Sequence, residues 1–199
     1  MKLLVLLFEE FETLDVFGPV EIFGKLEPAP DIQFLSLAGG IVHSSQQVPV
    51  QTREWRSVTV GEEDILLVPG GPGIRTEGAN EAFLKILRTL APQSGFTLSV
   101  CTGSHLLAKA GLLNGRRATS NKRLFAFVST QNNLVEWIKK ARWVKDGNIY
   151  TSSGISAGMD MALGFIADQY GRETAEAIAN RIEYVWNDDR DFDPFSELY

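Results

Sequence analysis

The one cysteine of the chain, Cys101, is the residue best suited to covalent chemistry. It lies in the sequence Ser99-Val100-Cys101-Thr102-Gly103, where an apolar strand passes directly into a helical segment. Small residues flank the cysteine at both second positions, which is typical of a nucleophile elbow. At the start of a helix, unpaired amides and the dipole lower a cysteine pKa from ~8.5 into the range of roughly 3.5 to 7.5. We therefore expect Cys101 to be an exposed thiolate at neutral pH.

Glycines near this elbow indicate how such a thiolate would act. Gly70 and Gly71 form a turn after another apolar strand. An amide of this turn and the amide of Thr102 would form an oxyanion-type pocket for charge that develops on a substrate. We therefore assign Thr102 a catalytic role and place Gly70, Gly71 and Gly103 in the substrate-binding part of the site. The alternative is that Cys101 is a small buried hydrophobic residue, as most lone cysteines are.

A nucleophile also needs a group that moves protons, and Asp15 is the candidate. Asp15 lies between the first apolar strand and the helical segment after it, where an Asp by default caps the helix. If that strand lies near the one before Cys101, the carboxyl faces the thiol, and its pKa rises so that it carries a proton. We interpret His105, one helical turn after the cysteine, and His43 as structural. No histidine follows His105, which excludes the Cys-His-Glu triad of a glutamine amidotransferase.

The elements that must position these residues alternate between apolar strands and amphipathic helices. Apolar runs at residues 3–8, 32–38, 64–68 and 97–100 predict buried strands, and residues 142–152 predict a hairpin with an Asp-Gly turn. Helical patterns follow most of these strands. The sequence thus predicts an α/β fold with an open, mostly parallel sheet and helices on both faces. The acidic residues 187–194 are predicted to form a solvated strap on the surface.

The composition excludes several other functions. Of 199 residues, 44% are hydrophobic and 22% are charged, so we expect one domain over residues 1–199. The net charge of -6 argues against a nucleic-acid partner. The first apolar run is too short, and too soon followed by acidic residues, for a signal peptide or membrane span, so we expect a cytoplasmic location. One cysteine and two histidines exclude a disulfide and a Cys/His zinc site, and no nucleotide-binding glycine motif is present.

Longer motifs around these residues resemble the DJ-1/PfpI superfamily and cover nearly the whole chain. They are LDVFGPVEIF at 14–23, VPGG at 68–71, VCTG at 100–103, LAKAGLLNGRRAT at 107–119 and TSSGISAGMD at 151–160. The first and third motifs are similar to two branches, the isonitrile hydratases and the amidase-like domains of AraC-type regulators. The resemblance implies a flavodoxin-like fold, a homodimer, and no metal or organic cofactor.

The hydratase resemblance further implies a reaction on a small, mostly apolar substrate. Cys101 would attack the terminal carbon of an isonitrile, Asp15 would deliver and recover protons as water adds, and Thr102 would help to orient the site. An N-substituted formamide would leave, which makes the protein a carbon-nitrogen lyase or a related amidase-like hydrolase. The alternative is a stand-alone sensing domain related to the AraC-type regulators, which binds a small molecule without turnover. The chain carries no helix-turn-helix half, which favours the enzyme.

Three positions depart from other branches of the superfamily. PfpI-type peptidases carry His directly after the cysteine, where this chain has Thr102. The chaperone and glyoxalase branch carries Glu on the turn where this chain has Asp15. Many members of the two most similar branches have a His after the elbow helix, at the position of Asn121. The substitution at Asn121 leaves the Cys-Asp pair intact and leaves the substrate open.

Overall fold

A computed structural model describes all residues from Met1 to Tyr199 and contains ten strands, seven α-helices and two short 3-10 helices. The strands are β1 (Lys2–Leu6), β2 (Asp31–Ser36), β3 (Gly40–His43), β4 (Pro49–Glu54), β5 (Ile65–Val68), β6 (Phe96–Ser99), β7 (Arg117–Ala118), β8 (Glu136–Trp137), β9 (Trp143–Asp146) and β10 (Ile149–Ser152). The helices are α1 (Thr13–Phe23), α2 (Ile74–Glu77), α3 (Glu81–Leu90), α4 (Gly103–Lys109), α5 (Phe125–Ser129), α6 (Ala157–Tyr170) and α7 (Arg172–Arg181). No helix is long and apolar enough to cross a membrane.

Eight strands form one sheet in the order β3-β4-β2-β1-β5-β6-β10-β9. The pairs from β4 through β10 are parallel, and only β3 and β9 at the two edges run antiparallel to their neighbours. Strands β1, β5 and β10 are almost wholly buried, because helices cover both faces of a parallel sheet. The predicted open, mostly parallel α/β sheet is therefore confirmed, as is the hairpin of β9 and β10.

The direction of the strand crossovers changes between β1 and β5. From β1 the chain passes through α1 to β2 on one side, whereas from β5 it passes through α2 and α3 to β6 on the other. Right-handed crossovers in opposite directions place the helices on opposite faces of the sheet. In agreement, α1 packs on α6 and α6 on α7, while α2, α3 and α4 pack on one another. Clefts for ligands form at such a reversal, beyond the carboxyl ends of the strands.

The strand register brings four carboxyl ends level with one another. Val68 of β5 lies opposite Ser99 of β6, and Ser99 lies opposite Thr151 of β10. The loops that leave β1, β5, β6 and β10 therefore meet above the same edge of the sheet. The segments that leave β1, β5 and β6 carry Asp15, in the first turn of α1, Gly70 and Cys101.

The C-terminal strap differs from its prediction at one residue. Most of residues 187–194 are exposed as expected, but Asp193 is fully buried. Its carboxylate lies 3.6 Å from the guanidinium of buried Arg142, which also pairs with buried Asp160 at 2.5 Å. A buried charge is tolerated only with such partners, so Asp193 fastens the strap to the body of the protein.

Candidate active site

Cys101 lies at a sharp turn between β6 and α4. Its backbone φ is +56°, a left-handed conformation that is unfavourable for a residue with a side chain. Hydrogen bonds hold this conformation: Cys101 N donates to the Ser153 carbonyl over 3.1 Å, and the Ser104 and Ser120 hydroxyls donate to the Cys101 carbonyl. The nucleophile elbow predicted from the sequence is thus the geometry of the chain.

Asp15 is the third residue of α1 and does not cap that helix. The N-cap is Glu12, and the Asp15 side chain instead accepts a hydrogen bond at Oδ2 from Gly70 N over 2.8 Å. The carboxyl is fully buried, and its second oxygen, Oδ1, has no hydrogen-bond partner of standard geometry. The helix-cap alternative is therefore wrong. The position of Asp15 requires a different explanation, because a buried carboxyl oxygen without a donor is costly when ionised.

Burial governs the protonation of both Asp15 and Cys101. It raises the pKa of the Asp15 carboxyl from 3.8 to about 8, an effect that the Gly70 amide partly offsets and the charge of Glu12 increases. Burial also raises the pKa of the Cys101 thiol far above its usual range, and the Asp15 charge raises it further. The expectation of a thiolate at neutral pH is therefore wrong, because desolvation outweighs the amides around the sulfur. Burial therefore favours the neutral forms of both the thiol and the carboxylic acid.

Three hydrogen-bond donors surround the sulfur. The Nδ2 of Asn121 donates to Cys101 Sγ over 3.2 Å, and the backbone amides of Thr102 and Ile155 also lower the thiol pKa. Asn121 is held in this orientation because its Oδ1 accepts a hydrogen bond from Leu124 N over 3.1 Å. These donors stabilise negative charge on the sulfur whenever the thiol loses its proton.

Sequence reasoning did not assign the contact between Asn121 and the sulfur. The residue follows the short strand β7 and directly precedes a bend at Lys122, in a segment without any hydrophobic periodicity. The one signal was its position, where related sequences often carry His. Gly154 makes the contact possible, since a Cβ there would collide with the Asn121 amide nitrogen.

Of the glycines predicted to bind substrate, Gly71 lines a cavity at Cys101, whereas Gly70 and Gly103 do not line it. The amide of Gly70 donates to Asp15, and that of Gly71 donates to the Thr102 hydroxyl over 3.2 Å. The amide of Gly103 donates to the Val100 carbonyl, and a Cβ on Gly103 would collide with the backbone of β5. The proposed use of these amides as an oxyanion pocket is therefore corrected: they are committed to protein groups. Gly70 is equally constrained, because its Cβ would lie 2.5 Å from Thr102 Oγ1.

The sulfur lies at the wall of a cavity of ≈ 660 Å³. Cys101 is only 6% exposed, yet it lines this cavity together with Thr102 and Asn121. Ile74, Leu124 and Ile155 supply apolar surface around them, and the rest of the wall includes glutamate and arginine side chains together with Gly71, Pro72 and Thr76. The cavity is large enough for a small organic molecule and allows it to reach the sulfur.

The two histidines take no part in this arrangement. His105 is buried, burial lowers its pKa to about 4, and its ring packs against Phe127 at a centroid distance of 5.4 Å. His43 lies exposed on the edge strand β3. Neither lines the cavity of Cys101. The interpretation of both as structural agrees with these positions.

Comparison with known proteins places this geometry in a family. A family model described as the DJ-1/PfpI family matches residues 1–168. The chain is 34% identical over 184 residues to an isonitrile hydratase of Pseudomonas putida, an alignment that covers 90% of this chain and 77% of that protein. It superposes on a THiJ/PfpI family protein of Pseudomonas syringae with a TM-score of 0.80 and 26% identity, over 94% of this chain and 76% of that one.

A regulator shares the same fold. The crystal structure of an AraC family transcriptional regulator from Pseudomonas putida superposes with a TM-score of 0.74 and 21% identity, over 91% of this chain and 98% of that one. At this identity the likeness is one of fold alone. Both branches suggested by the sequence motifs are thus found among the similar proteins, and the flavodoxin-like fold is confirmed. With an elbow cysteine, a buried Asp beside it and a family model that matches most of its length, the chain belongs to the DJ-1/PfpI family.

Proposed function

We propose that the protein is a cysteine-dependent hydratase that adds water to an isonitrile and releases an N-substituted formamide. The observation that carries the proposal is the buried carboxyl of Asp15 within hydrogen-bonding reach of Cys101, whose sulfur lines a cavity; burial raises the pKa of this carboxyl to about 8. The similarity to an isonitrile hydratase supports the same reaction. An isonitrile carbon bears a lone pair and becomes electrophilic once protonated, so it needs an acid and a nucleophile at the same atom.

The first step joins the sulfur to the substrate. The Asp15 carboxylic acid donates its proton to the terminal carbon of R–N≡C, and the Cys101 sulfur forms a bond to that carbon. The thiol proton passes to the Asp15 carboxylate, which restores the acid. The product is a thioimidate, R–N=CH–S–Cys101, and no atom is lost. A carboxyl that is neutral at pH 7 suits this step, whereas an ordinary ionised Asp has no proton to give.

The second step releases the product. Water adds to the thioimidate carbon, its oxygen forming the new bond, while Asp15 accepts a proton from water and delivers one to nitrogen. The tetrahedral intermediate collapses to R–NH–CHO as the carbon-sulfur bond breaks, and the hydroxyl proton returns to sulfur through Asp15. The amide of Asn121, 3.2 Å from the sulfur, stabilises the charge on the departing thiolate.

Turnover of cyclohexyl isonitrile to N-cyclohexylformamide, followed by chromatography, tests the proposal. We expect Cys101→Ala to remove activity and Asp15→Asn to lower kcat by roughly 10²–10⁴-fold, which is the usual contribution of a positioned acid. Asp31→Asn is the matched control, because it makes the same substitution on the exposed first residue of β2. Undiminished turnover in either site variant would remove that residue from the mechanism.

The same assay separates the enzyme from the sensing domain. A sensor binds the isonitrile or formamide in the cavity but releases it unchanged. Binding without formation of formamide by the unmodified protein, across aromatic and aliphatic isonitriles, would therefore favour the sensing function over the hydratase.

A further inference from the structure

Two arginines at the cavity differ from all others in the protein. The chain has eleven arginines, and nine of them direct the guanidinium to a carboxylate, a side-chain amide or a backbone carbonyl. Arg75 and Arg123 have no such partner, and both line the cavity of Cys101. The chain has 25 acidic residues, yet neither of these guanidinium groups has a carboxylate within 4.0 Å. Both groups are therefore free to bind an anion that is not part of the protein.

Packing positions Arg75 without using its donors. Its guanidinium lies over the ring of Phe127 at 5.7 Å from the centroid, and Phe127 in turn packs on the buried ring of His105. A cation–π contact uses none of the N–H donors of a guanidinium, so they stay available to bind the two oxygens of a carboxylate. Neutral His105 thus supports an arginine that faces the cavity, a role that its sequence position did not reveal.

Acidic residues lie on another part of the same wall. Glu10 and Glu12, from the loop between β1 and α1, also line the cavity, and neither forms an ion pair with Arg75 or Arg123. Glu12 already accepts hydrogen bonds from Ser45 and Gln46. The cavity therefore has a cationic part and an acidic part that are kept separate, and an anion entering it is attracted to one part and repelled by the other.

We propose that the substrate is an isonitrile that carries a carboxylate, which Arg75 and Arg123 bind while the isonitrile carbon reaches Cys101. This inference rests on the proposed function for the reacting group, but the anion site itself does not. A carboxylate matches the forked donors of a guanidinium better than a single-atom anion does. The charged group fixes the substrate at one end, and Ile74, Leu124 and Ile155 contact the apolar part between the two ends.

Alkylation of Cys101 tests the anion site without any turnover. Iodoacetate and iodoacetamide are nearly the same size and differ in charge, and Cys101 is the only thiol, so intact mass reports its modification directly. Relative to the rate ratio for 2-mercaptoethanol, we expect iodoacetate to be favoured about tenfold at low salt, and the preference to shrink as salt rises. Arg75→Gln and Arg123→Gln should each reduce the preference, and Glu10→Gln should increase it. Arg53→Gln, on β4 and away from the cavity, is the charge-matched control.

Turnover provides the second arm of the test. We expect kcat/KM for 4-isocyanobenzoate to exceed that for its methyl ester about tenfold, and Arg75→Gln and Arg123→Gln each to reduce this ratio. Equal kcat/KM values for the acid and the ester in an active enzyme, with no iodoacetate preference, would contradict the proposed carboxylate on the substrate. The proposed hydratase function would not be affected by that result. An iodoacetate preference that depends on both arginines in a protein without turnover would retain the anion site and reject the hydratase. A thiol that reacts with neither reagent, in a protein that converts no isonitrile, would overturn both.

Discussion

Replacing Asp15 by Asn should make the folded protein more stable while it removes catalysis. The carboxyl of Asp15 is fully buried and one of its oxygens has no donor, so the folded protein disfavours its charge. Its pKa is raised to about 8, whereas the same carboxyl in an unfolded chain titrates near 3.8. An Asn fits the same space, can still accept the hydrogen bond from Gly70 N, and never ionises.

The sign of the pH dependence follows from these two pKa values. Between pH 3.8 and about 8 the folded protein binds more protons at Asp15 than the unfolded chain does, so the free energy of unfolding falls as pH rises. Each pH unit is worth about 1.4 kcal/mol, so the roughly three units between the unfolded pKa and pH 7 amount to about 4 kcal/mol. Asp15→Asn removes this loss. The variant should therefore gain up to about 4 kcal/mol at pH 7 and less at pH 5.

Urea unfolding at pH 5, 6, 7 and 8, followed by tryptophan fluorescence, measures this difference. Asp64→Asn is the control of opposite sign: burial would raise the Asp64 pKa, but hydrogen bonds from Gly61 and Lys2 outweigh it and the pKa is lowered. That variant should be less stable than the unmodified protein by an amount that stays constant from pH 5 to pH 8, because the folded and unfolded pKa values of Asp64 both lie below this range. The difference in unfolding free energy between Asp15→Asn and the unmodified protein should grow from pH 5 to pH 8. A constant difference, or one of the reverse sign, would refute the claim that the folded protein keeps the Asp15 carboxyl protonated.

Three further predictions concern the sulfur and the glycine turn. Asn121→Ala should lower kcat by about 10²-fold and slow alkylation of Cys101 at a given pH, because the sulfur loses a hydrogen-bond donor at 3.2 Å; a change in KM alone would contradict this role. The rate of iodoacetamide labelling of Cys101 should still be rising above pH 9, since burial raises the thiol pKa, and a plateau reached near pH 6 would instead indicate a thiolate. Gly70→Ala should abolish turnover, because the added Cβ would lie 2.5 Å from Thr102 Oγ1. Gly61→Ala is the control and should stay active, because the nearest atom to its added Cβ is 3.8 Å away. Equal activity of the two variants would argue against the tight turn at Gly70.

The sequence was sufficient to predict the sheet and the pair at its edge. Apolar runs without polar residues mark strands that are buried on both faces, and β1, β5 and β6 are such strands. Because parallel strands end at one edge, the loops after them bring Asp15 and Cys101 together. The homodimer and the single domain over residues 1–199 remain predictions.

Protonation and long-range contacts could not be predicted in the same way. The thiol pKa depends on how many atoms surround the sulfur, and local sequence reports only the helix that follows it. Asn121 reaches the sulfur across 20 positions of sequence, and Asp193 finds Arg142 across about fifty, in segments without periodicity. The amides of Gly70 and Gly71 were assigned to substrate for the same reason, because their acceptors, Asp15 and Thr102, are distant along the chain.

The covalent step at Cys101 is the most direct test of the mechanism. We would mix the protein with a fourfold excess of an aromatic isonitrile, quench with acid at short times, and measure the intact mass and the peptide that contains residue 101. The mechanism predicts a transient species heavier than the protein by the mass of the isonitrile, located on Cys101 and absent from Cys101→Ala. Formamide produced at equal rates by the protein and by Cys101→Ala, with no adduct at any time, would contradict it.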